Sequence, residues 1–321
     1  MPKLTPLLAV TAGDPDGIGP EAALAAYKAI NELNIARLIL IGCPSAFEKA
    51  SRSTGISIPP CITPNEIPEK IGLIPIEPAS HDLAGRGSHV LSQLRLAVDL
   101  AISGKARSLT TGPARKDAFA AAGEPFSGHT ELLARWTGSQ TPVMMMYGPK
   151  LKVIPLTTHV PLMNVANLLS IDLIVEKLRI AERDTRRYFG IKAPKFAVTS
   201  LNPHAGEGGN IGKEEFEIFS PAIAELKKLG LDISGPFPAD SLFASGWRNF
   251  DVIACPYHDQ ALIPFKMVHF KDGVNVTLGL PFIRTAPDHG TAEDIAFTGK
   301  ADPSSMIAAA RLAADIATRI F

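Results

Sequence analysis

Three apolar runs in the second half of this chain each end in a histidine: Val153–His159, Phe196–His204 and Asp251–His258. Each run has the length and β-branched content of a strand, and each is followed by turn or helix-start residues. In an open α/β sheet, ligands bind outside the carboxyl ends of the strands. Three imidazoles delivered to such an edge can hold one borderline metal ion and leave coordination positions open for a substrate. The pattern therefore points to a metal-dependent enzyme. The histidines form no local metal motif of the H-E-x-x-H kind, and a single histidine at a strand end is commonly just a hydrogen-bonded structural residue. Residue types alone leave both readings open.

Strand-like and helix-like segments alternate along the whole chain. Strands are expected at Leu7–Thr11, Arg37–Ile41 and Ser108–Thr111. Helices are expected at Pro20–Leu33, Ser88–Ile102, Glu131–Trp136, Leu162–Tyr188, Glu214–Leu229 and Ser304–Ile320. This alternation predicts an α/β architecture with a largely parallel sheet. At 321 residues the chain is long for one core, so two domains are expected. The net charge is zero and no basic stripe is present, which argues against nucleic acid or an acidic membrane surface as a partner. Cys43, Cys61 and Cys255 are an odd set without C-x-x-C spacing, as suits a reducing compartment. With no signal-like N-terminal segment and no apolar run long enough to span a bilayer, a cytoplasmic location is expected.

Several segments carry candidate chemistry, and each has a plainer reading. Gly13-Asp-Pro-Asp-Gly-Ile-Gly-Pro-Glu21 follows the first strand and opens a helix. Its Gly17-x-Gly19-x-x-Ala22 formally matches a dinucleotide fingerprint, but Pro20 lies inside it and the second strand lacks the terminal acid that holds a ribose. A glycine-permitted turn explains it equally well. Gly128-His-Thr-Glu131 stands at a helix start, where Thr130 is a candidate N-cap and His129 with the free amides could form an anion site. Lys266 and Arg284 are candidate partners for an anionic substrate. Asp288-His-Gly-Thr-Ala-Glu-Asp-Ile-Ala296 reads as a turn before a short helix.

Taken together, these motifs resemble the 4-hydroxythreonine-4-phosphate dehydrogenase family over nearly the whole chain. The resemblance rests on Gly13–Glu21, Gly128–Glu131, Asn202-Pro-His-Ala-Gly-Glu207, Tyr257-His-Asp-Gln-Ala-Leu-Ile-Pro-Phe-Lys266 and Asp288–Ala292. It implies two α/β domains flanking a central cleft, of the isocitrate/isopropylmalate dehydrogenase type and not a Rossmann fold. The implied division is a cofactor-side domain of residues 1–125 plus 265–321, and a metal, substrate and dimerisation domain of residues 126–264. His159, His204 and His258 are implied as ligands of a divalent metal (Zn, Mg, Co or Mn). His129, Thr130, Lys266, Asn275 and Arg284 are implied for the substrate, with Lys266 a candidate for moving the hydroxyl proton. His289, Gly290, Thr291 and Asp294 are implied for NAD or NADP. The family is homodimeric, with a site shared across the interface and the third histidine coming from the partner chain.

The chain departs from the family's usual pattern at Asp16 (usually Ala), Ala261 (commonly Gly) and Ala286-Pro287 (commonly Ser-Val). Phe297 and Thr298 also separate Ala296 from Gly299-Lys300. None of these removes a ligand or a substrate cation, although those near Asp288 and Phe297 leave NAD and NADP both open. Two alternatives remain at this stage. One is a dehydrogenase of threonate or erythronate 4-phosphate. The other, from a different class, is a metal-dependent phosphoesterase. A phosphate-binding module without catalysis is the blandest reading and leaves the three histidines unexplained.

Overall fold

The computed structural model describes residues 5–124 and 128–321. In chain order the elements are β1 (Leu7–Thr11), α1 (Gly19–Leu33), β2 (Arg37–Gly42), α2 (Pro44–Thr54), β3 (Leu73–Pro75), α3 (Leu83–Ile102), β4 (Ser108–Thr111), α4 (Lys116–Ala121) and α5 (His129–Thr137). Then follow β5 (Val143–Tyr147), β6 (Lys152–Pro155), α6 (Val165–Leu168), α7 (Ile171–Phe189), β7 (Lys195–Thr199), α8 (Ser220–Lys228) and β8 (Asp232–Phe237). The last are α9 (Ala239–Ser241), β9 (Val252–Cys255), α10 (His258–Val268), β10 (Val274–Leu278), β11 (Ile283–Pro287) and α11 (Ser304–Ile320). The expected α/β alternation is present throughout.

The chain divides into two compact units, Met1–Ser139 with Leu280–Phe321, and Gln140–Gly279. In the first unit the strands run β3-β2-β1-β4-β11, and every neighbouring pair is parallel. Its strands are buried almost without a break, as a sheet covered on both faces requires. Leu7, Ala9, Ile39, Ile41, Val98 and Leu109 pack with Leu133 and Ala134 of α5 in one core cluster.

In the second unit the order is β10-β5-β6-β9-β7-β8. The pairs β6/β9, β9/β7 and β7/β8 are parallel, whereas β10/β5 and β5/β6 are antiparallel. The antiparallel edge follows from the short β5–β6 link, since parallel neighbours need a crossover of a dozen or more residues. The core holds Val153, Ala197, Ile253, Leu262 and Phe265.

The observed limits, 139/140 and 279/280, differ from those expected at 125/126 and 264/265. Core membership explains the difference: α5 buries Leu133 and Ala134 in the first unit, and α10 buries Leu262 and Phe265 in the second. Residues 125 and 126, where the first limit was expected, lie outside the described residues, as does the opening segment 1–4.

Two local expectations are corrected. Leu162–Tyr188 is not one helix. A short turn at Leu162–Asn164 and α6 stop at Leu169, and α7 starts afresh where the Ser170 hydroxyl accepts from the Leu173 amide at 3.1 Å. Thr130 is not an N-cap: Gly128 holds that position, with φ of 120°, and Thr130 lies inside α5. That backbone geometry favours glycine over a side-chain cap.

Candidate active site

The expected site residues fall into three constellations, each within one unit. In the second unit, β6 and β9 are parallel neighbours in register, Pro155 beside Cys255. Each continues past the sheet into a histidine. His159 has a left-handed backbone, φ 45°, and is exposed; His258 is the first residue of α10. Their ring centroids are 5.7 Å apart and tilted by 42°. Both line a pocket of about 250 Å³ with Thr157, Leu162, Tyr257 and Asp259. His258 Nδ1 lies 2.7 Å from Asp259 Oδ1. A carboxylate on one ring nitrogen fixes the tautomer and leaves Nε2 as the available electron pair, the usual outer partner of a metal-bound histidine.

The remaining histidine, His204, follows β7 in a loop whose residues His204 to Gly208 all have positive φ. The loop is held from behind by Glu215, which accepts from the Asn202 amide at 2.7 Å and from its side chain at 3.0 Å. Among the described residues no group of three histidine, cysteine, aspartate or glutamate side chains is gathered closely enough to hold an ion. Within one chain His159 and His258 form a ring pair, and His204 completes no metal-holding group of three with them among the described residues. Lys266 lies on α10, the helix that His258 opens. Asn275 lies in β10, where its Oδ1 is buried without a hydrogen-bond partner.

The second constellation is in the first unit. Arg284, in β11, is 3% exposed and donates from Nη2 to the Thr111 hydroxyl at 2.6 Å. Burial pushes its pKa down to about 10, and the nearby Glu131 carboxylate works in the opposite direction. His129 opens α5 with its ring edge on Phe119, centroids 5.4 Å apart. Burial, with the charge of Arg284, drives His129 down to about 3. The ring is therefore neutral at ordinary pH, and its Nε2 is buried without a hydrogen-bond partner. A neutral imidazole, a buried guanidinium and the first amides of a nine-residue helix are groups of the kind that can receive an oxyanion.

The third constellation is also in the first unit, and sequence reasoning anticipated only half of it. The Gly13–Glu21 turn grips the loop after β11. The Ile18 amide donates to the Thr291 carbonyl at 2.8 Å, and a Cβ added at Gly17 would stand 2.8 Å from that same oxygen. Gly19 is equally constrained, because its Cβ would lie 1.9 Å from the Ala12 carbonyl oxygen. These glycines serve close backbone approach, which decides against the dinucleotide fingerprint. His289 Nδ1 is 3.0 Å from the Gly290 carbonyl, and Asp294 is exposed.

Buried Arg86, from α3, ties this arrangement together. Its Nη2 lies 2.7 Å from Asp14 and 2.9 Å from Glu293, and its Nε lies 3.4 Å from Asp16. Arg115 reaches the same Glu293 oxygen at 3.2 Å. Burial alone would raise Glu293, but the bonds from Arg86 and Arg115 outweigh it and hold the carboxyl below its usual range. Asp14 is pushed up by burial despite Arg86. Asp16 is thus an added acid facing Arg86. Neither Arg86 nor Glu21 was singled out from sequence, since a lone arginine in a helix carries no spacing signal.

Comparisons with known proteins show the family to which the chain belongs. Residues 34–313 match the family described as Pyridoxal phosphate biosynthetic protein PdxA. A 4-hydroxythreonine-4-phosphate dehydrogenase from Methylorubrum populi is 43% identical over 331 aligned positions, covering 97% of this chain and 95% of that protein. The crystal structure of 4-hydroxythreonine-4-phosphate dehydrogenase from Klebsiella pneumoniae superposes with a TM-score of 0.86 at 37% identity, covering 99% of this chain and 100% of that one. A terephthalate 1,2-cis-dihydrodiol dehydrogenase from Burkholderia xenovorans is more distant, with a TM-score of 0.67 at 25% identity over 96% of this chain and 97% of that one. The fold is the mixed α/β class of isocitrate and isopropylmalate dehydrogenases. With a family match across most of its length and full-length relatives above 40% identity, the chain belongs to the PdxA family of pyridoxal phosphate biosynthetic proteins.

Proposed function

We propose that this protein is a metal-dependent, nicotinamide-linked 4-hydroxythreonine-4-phosphate dehydrogenase. It oxidises 4-phosphohydroxy-L-threonine to 2-amino-3-oxo-4-phosphooxybutanoate, which decarboxylates to 3-amino-2-oxopropyl phosphate. The observation that carries this reading is the whole-length 43% identity to an enzyme of that name.

The donor set fits a divalent cation such as zinc, magnesium, cobalt or manganese. His159 and His258 present a tilted ring pair, and Asp259 fixes the His258 ring. When bound, the ion polarises the substrate's hydroxyl oxygen as a Lewis acid and stabilises the charge left by decarboxylation. NAD or NADP, when bound at the loop holding His289, Gly290, Thr291 and Asp294, supplies the hydride acceptor.

The chain's own residues position the substrate and handle its proton. His129 and Thr130 at the start of α5 hold phosphate oxygens together with Arg284. The neutral His129 ring offers a hydrogen bond without charge, and Arg284 supplies the cation. Asn275 orients the substrate through a polar atom that protein groups leave unsatisfied. Lys266 takes the hydroxyl proton at Nζ when it stands as the neutral amine, and passes it on to solvent.

We also propose a homodimer with the metal set completed across its interface, one of the three histidines coming from the partner chain. Two features support it. One chain does not gather three ligands among the described residues. The second unit also exposes large apolar side chains: Met163 is 84% exposed, Met267 82% and Phe270 79%. Apolar side chains left so exposed suit burial against a second copy. No helix of the described residues is long and apolar enough to cross a membrane. An enzyme drawing on the nicotinamide pool for cofactor synthesis works in the cytoplasm.

Mass spectrometry of the products tests the reaction class. The expected product is the phosphorylated aminoketone, formed with reduced nicotinamide and carbon dioxide. Inorganic phosphate released without nicotinamide reduction would replace this reading with a phosphoesterase.

A further inference from the structure

Glu21 is a carboxylate in the first turn of α1 and is only 2% exposed. Its oxygens accept from the Phe297 amide at 2.8 Å, the Ser53 hydroxyl at 2.6 Å and the Gly299 amide at 3.4 Å. All these groups belong to the first unit. Phe297 holds φ at 59°, a left-handed conformation that is a genuine outlier for a bulky residue. Such strain persists only where surrounding structure enforces it. The buried carboxylate holds this bend from outside by taking the amides of Phe297 and Gly299 together, while the Thr298 amide closes the same turn on the Ile295 carbonyl at 3.3 Å. The loop so bent continues directly from His289–Asp294, whose other end is anchored by Ile18 on Thr291 and by Arg86 on Glu293.

We infer that Glu21 is a positioning residue for dinucleotide binding: its buried charge holds the 289–299 loop in its binding shape by fixing Phe297 in the left-handed conformation. The inference rests on the reading that this loop receives NAD or NADP. Glu21 itself touches no reacting atom. Charge-assisted bonds to backbone amides are about twice as strong as neutral ones. A neutral amide in place of the carboxylate weakens them, and the loop then spends its time in other conformations. The dinucleotide meets the binding-competent shape less often, and its apparent affinity falls by that fraction.

The test uses the full-length protein, titrated calorimetrically with NAD and with NADP and assayed in parallel. Glu21→Gln is expected to raise both the dissociation constant and the KM of the dinucleotide about tenfold, the order of one weakened charged hydrogen bond. The kcat and the KM of the phosphorylated substrate should stay within about twofold. Ser53→Ala, which removes one donor to the same carboxylate, should act in the same direction and more weakly. Adding Phe297→Gly to Glu21→Gln should recover most of the affinity, since glycine adopts the bend without strain.

A Glu21→Gln variant that lowers kcat and weakens both substrates equally, or one that Phe297→Gly does not rescue, would reduce Glu21 to a structural residue. Asp294→Ala and His289→Ala separate this inference from the reading beneath it. If they leave dinucleotide affinity intact, the cofactor does not use this loop. If they weaken it while Glu21→Gln does not, only the role of Glu21 is overturned.

Discussion

The buried Arg284 guanidinium donates at 2.6 Å to the hydroxyl of buried Thr111, the last residue of the adjacent parallel strand, two residues beyond Arg284's register partner Leu109. That bond aims a desolvated cation, and the neutral His129 ring lies close enough to feel its charge. Arg284→Lys keeps the charge and loses the planar fork. It should raise the KM of the phosphorylated substrate roughly 10- to 100-fold, the equivalent of about 1.5–3 kcal/mol for one charged hydrogen bond. The KM of the dinucleotide should change little. Steady-state kinetics with each substrate varied in turn checks this, and equal effects on both would remove Arg284 from the anion site.

His89 in α3 predicts how stability depends on pH. Burial, with a contribution from His81, pushes its pKa from 6.5 down to about 4, and both ring nitrogens are buried without partners. Between those values the unfolded chain binds a proton that the folded chain does not. Stability must therefore fall as pH drops from 6.5 toward 4, and this contribution is flat above 6.5. His129 adds to the slope with the same sign, because it too is depressed, to about 3. Denaturant unfolding of His89→Leu across this range should show a shallower acid slope. Stability at neutral pH should be unchanged or slightly higher, since two unsatisfied buried nitrogens leave with the ring. An unaltered slope would contradict the assignment.

Asp259 orients His258 from its Nδ1 side at 2.7 Å. Asp259→Asn should weaken binding of the divalent ion by about 10- to 100-fold, as loss of such outer partners does. Calorimetric titration of the metal-stripped protein with zinc reads this directly. Unchanged affinity would mean that the carboxylate is only a surface partner.

Pairwise mixing of the single variants His159→Ala, His204→Ala and His258→Ala tests the shared metal set. Each variant alone should be inactive. If the ion is held between two chains, at least one mixture forms heterodimers with one intact site and recovers part of the activity. With one crossing ligand two of the three mixtures recover, the variant common to both identifies the histidine that crosses the interface, and no recovery in any mixture would place all three ligands in one chain.

Much of this was legible in the sequence, for definable reasons. Strands β1, β2 and β4 and helices α1 and α11 announced themselves because each has a clean apolar period, and helix α1 also carries Pro20 at its start. The histidines at 159, 204 and 258 were visible because each ends a strand-like run. The break at Ser170 was hidden, since Leu162, Met163 and Leu168 keep an apolar pattern running into α7 while standing exposed. The roles of Glu21 and Arg86 were hidden for another reason. Their partners, Phe297 and Glu293, lie far along the chain, and no local pattern pairs them. The unit limits were displaced because α5 and α10 are assigned by the cores they join, which composition does not reveal.

The most direct test is formation of reduced nicotinamide by the purified protein with 4-phosphohydroxy-L-threonine, NAD or NADP, and a divalent metal, with threonate 4-phosphate run alongside. Turnover of the amino acid is expected, lost with a chelator and regained when the metal is added back. Turnover of threonate 4-phosphate alone, or reduction that ignores the chelator, would overturn the assignment of a metal-dependent 4-hydroxythreonine-4-phosphate dehydrogenase.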